Sequence, residues 1–105
     1  MSKQLEYQEC YHKPGHESVI KTMVLSPDGR RLLTGSDDSS VIVWSTKTGT
    51  ILCRIKARSP VLSLAFLTNS NRFLFGCQNG LIVSVSISAV CALTWGLAPR
   101  SSGLR

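Results

Sequence analysis

The chain repeats itself 41 residues on, without a gap. Ile20-Lys-Thr-Met-Val-Leu25 aligns with Val61-Leu-Ser-Leu-Ala-Phe66, and Leu32-Leu-Thr-Gly35 with Phe73-Leu-Phe-Gly76. Asp38 falls on Asn79, and Val41-Ile-Val-Trp44 on Ile82-Val-Ser-Val85. Between the aligned runs stand turn residues, Pro27-Asp28-Gly29 in one copy and Thr68-Asn69-Ser70 in the other. Short apolar runs of β-rich composition bounded by such residues read as strands joined by tight turns. A period near forty holds about four of them, and a unit of that kind buries its apolar faces only by stacking on a neighbour. Run backwards, the same offset sets Cys10–Pro14 opposite Ile51–Ile55, so residues 9–14 are expected to form a strand, confined to an edge or an end by Pro14.

The better copy is organised around Ser26 to Ser45. Ser26-Pro27-Asp28-Gly29 fits a turn in which Pro presets φ, Asp bonds its own backbone and Gly takes a positive φ. Asp37-Asp38-Ser39-Ser40 is a second turn, and Lys47-Thr48-Gly49 a third. Four antiparallel strands are expected between about Val19 and Ile55. With Gly15-His16 ahead, Gly35-Ser36, Asp38 and Trp44 following, this stretch resembles a WD40 repeat at family spacing. Only the closing Asp of the family's Trp-Asp pair is missing, replaced by Ser45. The second copy resembles the family more loosely.

The resemblance implies an all-β chain: two consecutive four-stranded antiparallel WD40-like propeller blades. A closed ring needs about four to eight blades, so two make an incomplete, open β-propeller. The expected division is a segment 1–14 with the outer strand of a preceding blade, a first repeat over 15–55, a degenerate second repeat over 56–87 and a tail over 88–105. Cys91–Trp95 falls where a fourth strand of the second blade would stand, and a short helix from Ser88 to Leu97 is the alternative. Val41–Trp44 and, apart from Ser84, Leu81–Val85 are apolar at consecutive positions, which predicts cover on both faces of each third strand.

The resemblance also implies a structural hydrogen-bond network of His16, Ser36, Asp38 and Trp44, in which Asp orients His, His bonds Ser and Ser bonds the indole N–H. The same residue types make a hydrolase triad. No Gly-x-Ser-x-Gly elbow and no glycine-rich loop beside Ser36 accompanies them, so no catalytic residue and no enzyme activity are expected. In the second copy the aligned positions are Ala57, Cys77, Asn79 and Val85, which cannot make that network.

Cys10, His12, His16 and Cys53 lack the paired spacing of a zinc site, so no metal is expected. Arg30-Arg31 lacks the flanking Phe and Gly of the Phe-Arg-Arg-Gly motif with which some propellers bind phosphoinositides, and Gly76–Gly80 lacks the Lys-Ser/Thr of a phosphate loop. No cofactor is expected. The formal charge is +6, from 12 Lys and Arg against 6 Asp and Glu. That charge alone supports the runner-up reading, an electrostatic binder of nucleic acid or anionic lipid.

No apolar run reaches membrane-spanning length, and Met1 to Cys10 lacks the apolar core of a signal peptide. Cysteines without CxxC pairing suit an intracellular, cytoplasmic or nuclear, protein. The expected function, implied by the family, is a non-enzymatic scaffold that binds unidentified proteins, or a piece of one. A homo-oligomer that completes a propeller and a non-functional truncated product are the further readings.

Overall fold

The computed structural model describes residues 15–94. Seven strands and one helix follow in order: β1 (Ile20–Leu25), β2 (Arg31–Ser36), β3 (Ser40–Ser45), β4 (Ile51–Lys56), β5 (Val61–Phe66), β6 (Arg72–Cys77), β7 (Ile82–Ser86) and α1 (Ile87–Thr94). They build two sheets, β1-β2-β3-β4 and β5-β6-β7, with every neighbouring pair antiparallel.

Turn chemistry sets where the strands begin and end. At 26–29 the Ser26 hydroxyl donates to Asp28 (2.6 Å), Gly29 N–H closes on Ser26 O (2.9 Å), and Arg31 N–H returns to Ser26 Oγ (3.0 Å). At the β2–β3 turn Asp38 N–H donates to Ser36 Oγ and Ser40 N–H to Asp38 Oδ1, both 3.0 Å. These bonds hold Ser39 at a φ of 68°, an uncommon conformation for a residue with a Cβ.

The two sheets stack. Leu33, Val41, Val43 and Cys53 of the first meet Val61, Phe73, Phe75, Cys77 and Val85 of the second, with Ile87 closing the cluster. Gly35 lies at this seam, where a Cβ would come within 2.6 Å of Val61 Cγ1. A larger residue there would force the blades apart.

The second blade departs from expectation in two ways. Its described sheet has three strands, not four, because the chain after β7 coils into α1. Asn71 ties the start of that helix: its carbonyl accepts Ile87 N–H (2.7 Å) and its side chain accepts Ser88 N–H (3.0 Å). Ile87 is then buried in the seam, and α1 lies against β4 and β7. The second departure is cover. β3 is buried along its length, as its composition predicts, but Ile82 of β7 is 74% exposed. Nothing among the described residues packs on the far face of the second sheet, so β7 is covered on one side only. The expected strand at residues 9–14 and the tail at 95–105 lie outside the described residues. No helix among the described residues is long and apolar enough to cross a membrane.

Candidate functional site

The first blade carries a chain of polar side chains on the face turned away from the second. His16 arrives on the loop ahead of β1. Gly15 lets that loop approach the indole, since a Cβ there would fall 2.5 Å from two Trp44 ring carbons. The His16 side chain is 1% exposed. Its Nδ1 lies 3.1 Å from Asp38 Oδ2 and 3.1 Å from Ser40 Oγ, and its Nε2 lies 2.7 Å from Thr34 Oγ1. The Trp44 indole N–H donates to the same Thr34 oxygen at 2.9 Å.

Donor accounting fixes the directions for a neutral imidazole. Indole N–H can only donate, so Thr34 Oγ1 accepts from Trp44 and gives its own proton to His16 Nε2. The ring proton then sits on Nδ1 and points at Asp38. Burial alone would push the Asp38 carboxyl up. Hydrogen bonds from Ser40 Oγ (2.6 Å), Glu17 N–H (2.8 Å) and His16 outweigh it and lower the carboxyl to about 2.

The structure thus brings His16, Asp38 and Trp44 together but puts Thr34, not Ser36, between them. Ser36 is fully buried, and its hydroxyl serves the β2–β3 turn by accepting Asp38 N–H. Register is the reason. Leu32 stands opposite Trp44, so Thr34 is one diagonal step from the indole on the same face. Ser36 lies two steps away, about 13 Å along the strand from Leu32 at roughly 3.3 Å per residue. The sequence held this signal: a hairpin that pairs Gly35 with Val41 also pairs residue 32 with 44.

Thr34, His16 and Asp38 mimic a hydroxyl–imidazole–carboxylate triad. The Thr34 oxygen is already shared between two partners, and the residue is 3% exposed. What the arrangement does is satisfy buried polar groups and pin the entering loop to β2, β3 and the β2–β3 turn.

The other candidates fall elsewhere. Cys53 lies in the seam between blades, on the opposite face of the first sheet from His16, and Cys10 and His12 are outside the described residues. No group of three His, Cys, Asp or Glu converges among the described residues. Five of the described basic side chains line two clefts. One, of about 460 Å³, is lined by Arg30, Arg31, Ser45, Lys47 and Leu52. The other, near Asp38, includes Arg54 and Lys56. Arg54 also donates to Gly15 O at 2.7 Å and so helps hold the entering loop.

Comparison with known proteins agrees with this architecture. The family profile for the WD domain, G-beta repeat, matches residues 8–45. Ribosomal RNA-processing protein 9 of Saccharomyces cerevisiae is 39% identical over 80 residues, covering 70% of this chain and 13% of that protein. The Ribosome biogenesis protein BOP1 homolog of Aedes aegypti is 33% identical over 66 residues, 63% of this chain and 8% of its own length. The crystal structure of the RRP9 WD40 repeats superposes with a TM-score of 0.69 at 25% identity, over 73% of this chain and 25% of that one. The chain therefore spans a small part of the relatives it matches. It belongs to the WD40-repeat family, with one well-matched repeat and one degenerate repeat, folded as an open propeller fragment.

Proposed function

We propose that this chain is a non-enzymatic protein-binding unit, whose His16–Thr34–Asp38–Trp44 network is structural. The observation that carries the reading is the pair of apolar faces that no described residue covers, at the two ends of the blade stack. On the first blade Met23 is 59% exposed, with Ile20 and Leu25 beside it, and on the second Ile82 stands in solvent. Exposed apolar faces of this kind mark interaction surfaces. Two relatives are named for ribosomal RNA processing and ribosome biogenesis, which makes such intracellular assemblies the first place to look for partners.

The occupant we assign to both faces is a second copy. The seam inside the chain already sets the front of one blade on the back of another. The open face of the first blade and the open face of the second are the equivalents of its two halves under the 41-residue offset. Head-to-tail stacking repeats that contact and closes if the rotation permits, at about three or four copies for six to eight blades. Light scattering after size exclusion tests it: the full chain is expected to run as a defined oligomer, and Ile82→Glu or Met23→Glu to disperse it. A well-behaved monomer at micromolar concentration, unchanged by either substitution, would overturn the assignment.

A further inference from the structure

We propose that the cleft between the start of β2 and the β3–β4 turn binds a carboxylate-bearing segment of a protein partner, an acidic peptide. This deepens the protein-binding reading above and depends on it.

Charge distribution is the first ground. All six acidic residues lie at or before Asp38, so from Ser39 onward the chain has no Asp or Glu. Over the same stretch it carries Lys47, Arg54, Lys56, Arg58, Arg72, Arg100 and Arg105. The three aspartates of the first blade are engaged. Asp38 holds His16 and Ser40, Asp37 faces Lys21 at 3.9 Å, and Asp28 takes the Ser26 hydroxyl and Arg30 N–H. Asp28 lies close enough to feel the Arg30 charge, but its position in the turn is set by those two bonds.

The cleft itself is the second ground. Arg30, Arg31 and Lys47 converge on it, and none of the described residues that line it is acidic. Arg31 stands directly opposite Ser45 across β2 and β3. Position 45 is where the repeat pattern closes with Asp, so the residue that would face this guanidinium with a carboxylate is here a serine. The Ser45 hydroxyl accepts Thr48 N–H at 3.3 Å. Arg31 Nε is sealed from solvent and has no hydrogen-bond partner among the described residues. No acidic side chain among the described residues lines the cleft to pair with these cations, and a carboxylate is a group whose geometry matches a guanidinium.

RNA is the competing anion, and the surroundings favour peptide. Single-stranded RNA is gripped by stacking its bases on open aromatic faces. The described aromatic residues are Trp44, Phe66, Phe73 and Phe75, and each is buried or half-buried in packing. The cleft offers cations and one apolar side chain, Leu52, and no stacking platform.

The test uses the full chain and a fluorescein-labelled peptide of ten glutamates, with a ten-uridine RNA as comparison, read by fluorescence anisotropy at low salt. The peptide is expected to bind more tightly than the RNA. Ser45→Asp, which supplies the carboxylate from within, and Lys47→Gln are each expected to weaken peptide binding about tenfold, the loss of one charge-assisted pair. Arg72→Gln removes an equal charge outside the cleft and should change it little. Absence of peptide binding, tighter binding of the RNA, or an equal loss with Arg72→Gln would each overturn the site. Self-association is scored separately by light scattering, so absence of peptide binding by an intact, unsubstituted assembly refutes the cleft and leaves the stacked-blade reading standing.

Discussion

The two blades share one frame and hold it by different chemistry. In the first, His16, Thr34, Asp38 and Trp44 form a continuous hydrogen-bonded brace. In the second, the offset puts Ala57, Phe75, Asn79 and Val85 at those positions. Asn79 still organises its turn, accepting Leu81 N–H at 3.1 Å, but the rest is apolar packing. Phe73 stacks near Phe75 with ring centroids 6.4 Å apart and meets Phe66 edge-on at 6.1 Å. The difference follows location. The second blade turns Phe75 and Val85 into the seam, with Ala57 packed against it, where the first blade covers them. The first blade turns its set toward the open end of the stack, beside exposed Met23 and Leu25. A face without a neighbour cannot rely on apolar burial, and a satisfied polar network holds its geometry there.

The sharpest way to break this comparison is at the indole. Trp44→Ala removes a large packed ring and leaves Thr34 with one partner fewer. It should cost about 3–5 kcal/mol in urea or thermal unfolding, enough to unfold a chain of this size. Val85→Ala at the equivalent position should cost less, about 2 kcal/mol for a few methyl groups. Equal losses would mean that the brace is no stiffer than plain packing.

The next effect separates the two hydroxyls. Thr34→Val keeps the shape but leaves the indole N–H and His16 Nε2 unpaired, at about 1–3 kcal/mol. Ser36→Ala removes only the acceptor for Asp38 N–H and should cost less, about 1 kcal/mol. Reversal of that order in equilibrium unfolding would return Ser36 to the centre of the network.

Acid sharpens the contrast further. The Asp38 carboxyl is lowered from 3.8 to about 2 in the fold, so its contribution is present above pH 4 and fades as pH falls through about 2. The second blade has no carboxylic side chain at all, with Asn79 in the matching place. Denaturation midpoints should fall between about pH 4 and pH 2, and Asp38→Asn should flatten that slope, since an amide does not titrate there. An unchanged slope in the variant would locate the acid sensitivity elsewhere. The smallest expected effect is none: a fluorophosphonate probe should leave Ser36 unlabelled, and stoichiometric labelling abolished by His16→Ala would show catalysis.

Most strand positions were legible because the turns are written in Pro, Asp, Asn and Gly, and because one copy checks the other. The brace was legible as a set of residue types. Its middle member was misread because motif order pointed to Ser36, while register selects Thr34. The fate of the chain after β7 was open, since Ser88–Thr94 has the composition of either a strand or a helix. It is decided by Asn71, 17 residues earlier, and by the burial of Ile87. The apolar stretch Leu81–Val85, broken only at Ser84, suggested two covered faces, yet composition cannot say whether a neighbour is present. The unpartnered Arg31 Nε is visible only in three dimensions.

In each sheet every strand pairs with the strand next to it in sequence. Such a chain closes only short loops as it folds, so the entropy lost before each contact forms is small for a β protein. Each hairpin can zip onto the one before it, and the order of synthesis is also an order of assembly. The wiring has an evolutionary corollary. A blade can be gained, lost or worn down without re-threading its neighbours, and a damaged copy such as the second can persist while the first provides the surface on which it folds.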